Sequence, residues 1–426
     1  MFTFDKKYSQ VADKKLNKYS KKLKPYIEKL QDVIGMDGYE QLECSVHLPY
    51  DTKAVQEVKD LVQGFDLDKL KYVVLVGIGG SNLGAQAVYE AIQGKYSLLV
   101  ENQPKMLFLD TVSVENFKAV SDELVSLDSV DEFAVVVISK SGTTVETVVN
   151  VETLKANLRE KFGSTVKDRM VVVTDKNSAM WQTAIKNEVK KIAVPAKVGG
   201  RYSVFSAVGL IPLALVGLDI DKFVDGAREA LDDSTDLSIE KNKALMSAIV
   251  TFVHNKKGRH ILNNFIFNTE LESLGMWYRQ LIGESLGKDG KGITPLVSIG
   301  SVDLHSVAQL FFGGQDDKFT QIIYSSSKSD LAVPSEIKND KMADVLAGKK
   351  FSEVMDAVVG GVKKAYENND LPFVYMELDE INEKQLGYFL QFKMLEVMYL
   401  AQLLQVNAFD QPRVEDYKKE TRLLLK

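Results

Sequence analysis

The sequence has almost no cysteine: Cys44 is the only one among 426 residues. A single cysteine excludes an intramolecular disulfide and lacks the companions that a structural zinc site needs. This cysteine usage fits a reducing compartment, and we expect a cytoplasmic protein. Cys44 itself is expected to be a small buried apolar residue.

Long apolar runs are also missing. The most apolar stretch, Val204 to Val216, is too short to span a bilayer and contains Pro212. The lysine-rich N-terminus has no apolar core and no arginine, and it carries Asp5 and Asp13, unlike a signal peptide. We therefore expect no membrane segment.

Neither sign of charge is in large excess, since 53 Lys and Arg residues stand against 59 Asp and Glu residues, for a net charge of −6. This balance gives no reason to expect a nucleic acid or an anionic membrane as a partner. The sequence also lacks the His-x-x-x-His spacing and the clustered carboxylates of a metal-dependent isomerase, so no bound metal is expected.

The chain is long for one compact core, because domains usually hold about 100–200 residues, so two large units are expected. From about Leu70, short β-branched runs alternate with longer amphipathic segments. This alternation predicts an α/β domain whose parallel sheet is covered by helices on both faces. The four predicted strands are 72–76, 106–109, 133–138 and 170–174.

A second and weaker series of apolar runs follows a charged helical stretch at 219–243. It predicts strands at 261–267, 296–299, 320–324 and 373–376, and a long helix at 383–404. We therefore predict a helical N-terminal segment (1–60), a first α/β domain (61–218), a second α/β domain (219–404) and a C-terminal tail (405–426).

The first predicted strand ends in Gly77-Ile-Gly79-Gly80-Ser81-Asn82-Leu83-Gly84. Ligands of open parallel sheets bind beyond the carboxyl ends of the strands, and glycines let a ligand approach the backbone closely. The dinucleotide fingerprint requires a glycine where Asn82 stands, and the Gly-Lys-Ser/Thr ending of a nucleotide phosphate loop is absent. A dehydrogenase is therefore a distant alternative.

The third predicted strand ends in a segment rich in hydroxyl groups, Ser139-Lys140-Ser141-Gly142-Thr143-Thr144, which opens a predicted helix. Hydroxyls, free backbone amides and the positive end of a helix dipole together form an anion site, which a phosphomonoester fits. An ordinary helix cap is the alternative, but four hydroxyls within six residues exceed what capping needs.

Two charged residues lie at glycine-rich turns. Arg201 follows Gly199 and Gly200, where a permanent positive charge can reach an anion or a developing enediolate. Glu284 lies near the end of an apolar helix, before a glycine-rich loop, where a partly dry cleft would suit a general base. Taken singly, each residue is equally compatible with an ordinary surface position.

Of the four histidines, His305 is the one in a polar constellation just after a predicted strand, Ser301-Val-Asp303-Leu-His305-Ser306. A histidine on a loop beside Asp303 can act as an oriented acid, although a lone histidine is more often structural. On composition alone, Lys418 in the polar tail is a surface lysine.

Taken in order from Gly77 to Lys418, these segments resemble the glucose-6-phosphate isomerase family. The resemblance rests on Gly-Ile-Gly-Gly-Ser, Ser-Lys-Ser-Gly-Thr-Thr, Gly-Gly-Arg-Tyr-Ser, Gly-Glu-Ser-x-Gly-Lys, Asp-Leu-His-Ser and Phe-Asp-Gln…Val-Glu-x-x-Lys. It implies two three-layer α/β/α sugar-isomerase domains with mainly parallel sheets in a homodimer. It also implies cofactor-free conversion between an aldose phosphate and a ketose phosphate through a cis-enediolate.

The resemblance assigns the roles of the site residues by motif position. Glu284 would move the proton between C2 and C1, Arg201 would stabilise the enediolate, and His305 from the partner subunit, with Lys418, would open the sugar ring. The phosphate loop would comprise Ser139, Lys140, Ser141, Thr143 and Thr144, and the sugar would be lined by Gly80, Ser81, Gln280 and Gln411.

The tail departs from the family pattern at Arg413, where a small residue, typically glycine, is usual. We expect its side chain to point to solvent, so that the tail loop keeps its shape. Two other functions stay open at this point: a non-catalytic regulatory protein that binds a sugar phosphate, and an isomerase of another phosphosugar such as mannose 6-phosphate.

Overall fold

The structure is a computed structural model that describes residues 2–100, 103–326, 330–336 and 345–425. Residues 1 and 426, the outer ends of the predicted first and last segments, lie outside this part. The helices within it are α1 (Asp13–Gly35), α2 (Thr52–Val62), α3 (Leu83–Gln93), α4 (Val114–Ser126), α5 (Val145–Phe162), α6 (Ala179–Lys186), α7 (Ala207–Leu215), α8 (Ile220–Ser234), α9 (Lys243–Lys256), α10 (Glu272–Leu286), α11 (Ala308–Gly313), α12 (Phe351–Asn368), α13 (Glu383–Leu404) and α14 (Val414–Leu424).

The strands of the described residues form two five-stranded sheets. They are β1 (Thr3–Asp5), β2 (Tyr72–Val76), β3 (Lys105–Leu109), β4 (Phe133–Ile138), β5 (Met170–Thr174), β6 (Lys190–Ala193), β7 (Ile261–Ile266), β8 (Thr294–Ile299), β9 (Lys318–Tyr324) and β10 (Phe373–Glu377). The first sheet has the order β3-β2-β4-β5-β6 and is entirely parallel. The second has the order β1-β10-β9-β7-β8, and only β1 runs antiparallel to its neighbour.

Each sheet is covered by helices on both faces, which explains why the strands read as continuous apolar runs. In β4, Val135 and Val137 face a core with α4, α5 and α6, whereas Ala134 and Val136 face the opposite side. That opposite core is continuous with one face of the second sheet and includes residues of α1, α2, α3, α7, α8, α9, α10 and α13. On the remaining face of the second sheet, α11 and α12 complete the layer.

The predicted fold class, two α/β/α sandwiches with mainly parallel sheets, is confirmed. The predicted strands at 72–76, 133–138 and 170–174 and the helix at 383–404 match the observed bounds. The exact domain boundaries stay predictions, because the continuous core crosses the predicted boundary positions 60 and 218.

The sequence analysis missed two edge strands, β1 and β6. Strand β6 begins with Lys190 and Lys191 and lacks the apolar run of a central strand. Strand β1 is three residues long, too short to show a recognisable alternation of apolar and polar residues. It lies before the predicted N-terminal helix. Both strands form because they pair with a neighbouring strand of the sheet, not because their own sequence has a strand pattern.

The N-terminal segment is bound to the second sheet through a buried histidine. His254 of α9 donates from Nε2 to the carbonyl oxygen of Ser9 at 2.7 Å, because that oxygen can only accept. Its Nδ1 lies 3.0 Å from Nη1 of Arg259, which can only donate. The contact with Arg259 requires the neutral ring, because Nδ1 must accept, whereas Nε2 donates to Ser9 in either protonation state. Burial, assisted by the charge of Arg259, lowers the pKa of His254 to about 4.

This histidine predicts a loss of stability in acid. In the unfolded chain the ring takes up its proton near pH 6.5, while in the folded protein it does so only near pH 4, so protonation favours unfolding between these values. We expect the free energy of unfolding to fall by up to about 3 kcal/mol across that window. The measurement is urea denaturation between pH 7 and pH 4.

The variant His254→Gln should be less stable than the wild type at pH 7 but should lose less stability as the pH falls. His260→Gln, which alters an exposed histidine, should keep the wild-type pH dependence. An identical pH dependence in the wild type and His254→Gln would contradict the assignment.

Candidate active site

A cleft of about 970 Å³ opens at the carboxyl ends of strands β2 and β4. Its walls come from the turns after these strands, the 3-10 helix Gly200–Tyr202, helix α10 and helix α14. All but one of the predicted site residues lie at this cleft: most line it, and Ser139 supports it from behind. Those lining it are Gly80, Ser81, Lys140, Ser141, Thr143, Thr144, Arg201, Gln280, Glu284, Gln411 and Lys418.

In the hydroxyl-rich turn after β4, Ser139 points inward, whereas Ser141, Thr143 and Thr144 line the cleft. Ser139 is buried and accepts from the backbone amide of Gly142 at 3.1 Å, while its Oγ lies 3.0 Å from Oγ1 of Thr144. Gly142 adopts φ +68°, which a side chain would strain. Ser139 therefore shapes the turn from behind, and Ser141, Thr143 and Thr144 present their hydroxyls at the start of α5.

Lys140 adds a cation beneath this turn. Its Nζ donates to the carbonyl oxygen of Val198 at 3.0 Å, and the side chain is half-buried. Burial lowers the pKa of Lys140, and the nearby charge of Arg201 acts in the same direction, while Asp175 opposes both.

Two glycine turns cross at van der Waals distance on the floor of the cleft. A Cβ atom built on Gly80 would lie 2.1 Å from the carbonyl carbon of Gly200 and 2.5 Å from the amide nitrogen of Arg201. Gly79 has φ +63°. The absence of side chains at this crossing allows the backbone before Arg201 to reach the cleft, which explains the glycines in both motifs.

Arg201 is fully buried, and every one of its N–H donors has an acceptor. Nε donates to Oγ of Ser285 at 2.8 Å. Nη1 donates to Oε2 of Glu284 at 3.1 Å and to Oε1 of Gln411 at 2.6 Å. Nη2 donates to two carbonyl oxygens of the tail, those of Ala408 at 2.6 Å and Asp410 at 3.1 Å. One side chain thus joins the first domain, α10 and the tail.

Both carboxylate oxygens of Glu284 are held, although 27% of its side chain stays accessible to the cleft. Arg201 binds Oε2, and Nε2 of Gln280, one helical turn earlier, donates to Oε1 at 3.0 Å. Among the residues that the structure describes, Oε1 of Gln280 has no hydrogen-bond partner. The arrangement provides a carboxylate that is held in one orientation at the cleft.

With this geometry in place, comparison with known proteins identifies the family. A family model described as phosphoglucose isomerase matches residues 34–328. The glucose-6-phosphate isomerase of Methanocaldococcus jannaschii is 34% identical to this chain over 86% of the chain and 89% of its own length. The chain belongs to the phosphoglucose isomerase family. The glucose-6-phosphate isomerase of Fusobacterium nucleatum is 31% identical over 99% of the chain and 94% of its own length.

Solved structures agree with the family assignment at the level of the fold. A hypothetical protein from Thermus thermophilus has a TM-score of 0.87 at 28% identity, with complete coverage of both chains. A glucose-6-phosphate isomerase from Chlamydia trachomatis has a TM-score of 0.81 at 19% identity, covering 100% of this chain and 88% of that one. The predicted resemblance, the sugar-isomerase fold and the enzyme class, an aldose–ketose isomerase, are confirmed.

The departure from the phosphoglucose isomerase pattern at Arg413 leaves the tail loop undisturbed. The side chain of Arg413 is 93% exposed and lies 3.6 Å from Asp416. Gln411 keeps its bond to Arg201. Lys418 donates to Oε1 of Glu415 at 2.8 Å and lowers the pKa of that carboxyl. The expectation that Arg413 points to solvent therefore agrees with the structure.

His305 does not line the cleft of its own chain. It ends the 3-10 helix Val302–His305 and is exposed. Asp303 directs its carboxylate oxygens to the amide of Ile299 at 2.7 Å and to the hydroxyl of Ser306 at 2.7 Å. Asp303 therefore holds the turn, and the suggestion that it orients His305 has no support in this geometry.

Several residues at the cleft escaped the sequence analysis. Thr421 and Arg422 follow Lys418 by three and four positions, so helical spacing alone could have found them. Ser285 and Tyr202, which contact Arg201 or each other, gave no separate signal.

Within the described ranges, no three His, Cys, Asp or Glu residues are grouped to hold a metal ion, and no helix is long and apolar enough to cross a membrane.

The crossing of the glycine turns yields a prediction. Gly80→Ala places a methyl group inside the backbone of Gly200, so the turn carrying Arg201 must move. We expect at least about a 100-fold loss of isomerase activity, because displacement of catalytic groups by about 1 Å has that effect. Gly360→Ala, in open space on α12, is the matched control and should gain up to about 1 kcal/mol in stability with unchanged activity. Full activity of Gly80→Ala would contradict the role of the crossing.

Proposed function

We propose that this phosphoglucose isomerase interconverts glucose 6-phosphate and fructose 6-phosphate, with Glu284 as the base. The observation that carries the proposal is the position of Glu284: its carboxylate is fixed by Arg201 and Gln280 in the same cleft as the hydroxyl-rich start of α5. The reaction needs one group to carry a proton and one cation to offset the charge left on the substrate.

The phosphate of the substrate would bind at the start of α5. Ser141, Thr143 and Thr144 supply hydroxyl donors, the first turn of the helix supplies free amides, and Lys140 supplies a charge. Ser139 keeps the turn in shape from its buried position. The sugar would then extend past Gly80 and Ser81 towards Gln280 and Gln411.

Proton transfer follows from the placement of Glu284. Its carboxylate removes the proton from C2 of the open-chain aldose, and the electrons move onto the carbonyl oxygen to give a cis-enediolate. The hydroxyl proton passes from O2 to O1, and the same carboxyl group then returns its proton to C1, which leaves the carbonyl group at C2. The fixed positive charge of Arg201 lowers the energy of the enediolate. In the free protein all N–H donors of Arg201 are already bonded, so Arg201 stabilises the enediolate by charge attraction without a direct hydrogen bond. A direct bond requires Gln411 or a tail carbonyl to give up its own bond to Arg201.

Ring opening would require further groups at the ring oxygen and at the anomeric hydroxyl. We assign them to Lys418, which lines the cleft, and to His305 of the partner subunit. The assignment to a partner is supported by the exposed position of His305 and by two exposed apolar side chains near it in the sequence, Val302 (63%) and Leu310 (52%). Such a surface suits a homodimer interface.

The single buried cysteine and the metabolic substrate suggest a cytoplasmic location.

The role of Glu284 is tested by Glu284→Gln. Isomerisation of fructose 6-phosphate, measured in the presence of EDTA at saturating substrate, should fall by about 100- to 10,000-fold, because the amide cannot accept the proton. The KM should change little, and exchange of a C1 proton of fructose 6-phosphate with solvent deuterium should stop. Glu272→Gln, at the start of the same helix and paired with Lys95, is the control. Turnover within tenfold of the wild type would rule Glu284 out as the base.

The shared site is tested with mixed dimers. Glu284→Gln and His305→Ala subunits should each be nearly inactive alone. A dimer with one of each has one site in which both residues are intact, so subunit exchange at equal concentrations should restore about a quarter of the wild-type activity. If His305 served its own chain, no mixture would recover activity, and a monomer of full activity at high dilution would also contradict the proposal.

A further inference from the structure

The bond from Nε of Arg201 leads away from the cleft into a fully buried polar chain. Its acceptor, Oγ of Ser285, lies at 2.8 Å, and the side chain of Ser285 is inaccessible to solvent. Ser285 directly follows Glu284 on α10. A single guanidinium therefore holds two consecutive residues of the helix, one facing the cleft and one facing the interior.

The chain continues to Tyr202, the residue after Arg201. The hydroxyl of Tyr202 lies 3.0 Å from Oγ of Ser285. Tyr202 is fully buried, and burial raises its pKa, so the phenol stays protonated. Its ring packs against Phe409 of the tail, with 5.5 Å between ring centroids. Tyr202, Ser285 and Arg201 thus form a continuous hydrogen-bonded series that ends at Glu284.

The direction of these bonds is constrained by the chemistry of the groups. Arginine can only donate, so Ser285 accepts from Nε with a lone pair. The serine and tyrosine hydroxyls bond to each other with either one as donor. Because the guanidinium is rigid and planar, a fixed Nε also fixes the direction of Nη1, which donates to Glu284 and Gln411.

We propose that Ser285 and Tyr202 are positioning residues for the base: they fix the rotation of the Arg201 guanidinium, and Arg201 in turn fixes the Glu284 carboxylate. This inference rests on the proposed role of Glu284 and extends it to two side chains that never touch the substrate. Without the Ser285 hydroxyl, Nε of Arg201 becomes a buried donor without an acceptor. The guanidinium then rotates to find one, and Nη1 leaves Glu284.

The test is a comparison of Ser285→Ala, Tyr202→Phe and the double variant in the assay used for Glu284. Ser285→Ala should lower kcat by about 10- to 100-fold with less than about a threefold change in KM. Tyr202→Phe should have a smaller effect of the same kind. The double variant should be no slower than Ser285→Ala, because both substitutions act through one hydrogen bond.

A second readout separates positioning from a general loss of structure. Ser285→Thr, which keeps the hydroxyl, should recover most of kcat. Ser273→Ala removes another buried serine of α10, one bonded to Glu90, and should leave kcat unchanged.

Three outcomes would overturn the positioning role: wild-type kcat in Ser285→Ala, no recovery of kcat in Ser285→Thr, or fully additive losses in the double variant. If Ser285→Ala does not fold, Tyr202→Phe alone decides, since it removes one oxygen and keeps the ring. The outcomes are distinct from a failure of the proposed function. An active Glu284→Gln variant would reject the role of Glu284 as the base. An inactive Glu284→Gln variant together with a fully active Ser285→Ala variant would reject only the positioning role of Ser285.

Discussion

The burial of Arg201 is the constraint on which the site depends. A guanidinium removed from water must have all its donors paired, because a buried charge with unsatisfied donors is strongly destabilising. Its acceptors come from α10 and from the tail at Ala408, Asp410 and Gln411. The tail therefore cannot leave the cleft without leaving buried donors of this guanidinium unpaired, and the walls of the cleft are held together by the protein itself.

The two sandwiches are joined by a helical layer rather than by a flexible connection. Helix α10 packs against the second sheet and also reaches Gly84 of α3 through Trp277, so the helix carrying Glu284 has a fixed position relative to both sheets. On its other side, Tyr278 donates to Oε2 of Glu396 at 2.6 Å, and Lys393 pairs with the same oxygen at 3.0 Å. Both ions are fully buried, and Gln321 and Ser247 complete the hydrogen bonds of Glu396.

The sequence predicts the central strands well, because a strand buried on both faces must be a continuous apolar run, as in β2 and β4. The family motifs likewise predict which residues line the cleft. The sequence does not show that Ser139 turns inward, nor that Ser285 supports Arg201 across 84 positions. These facts depend on contacts between distant segments, for which spacing along the chain carries no signal.

The first strand of the chain belongs to the last sheet that is completed. Phe4 pairs with Met376, 372 positions later, so ribosomal synthesis at about 5–20 residues per second separates the two partners by about 20–75 s. During that interval the early strand has no native neighbour. Because β1 has only three residues, it offers few unpaired backbone groups to another strand. Its short length therefore limits incorrect strand pairing during biosynthesis.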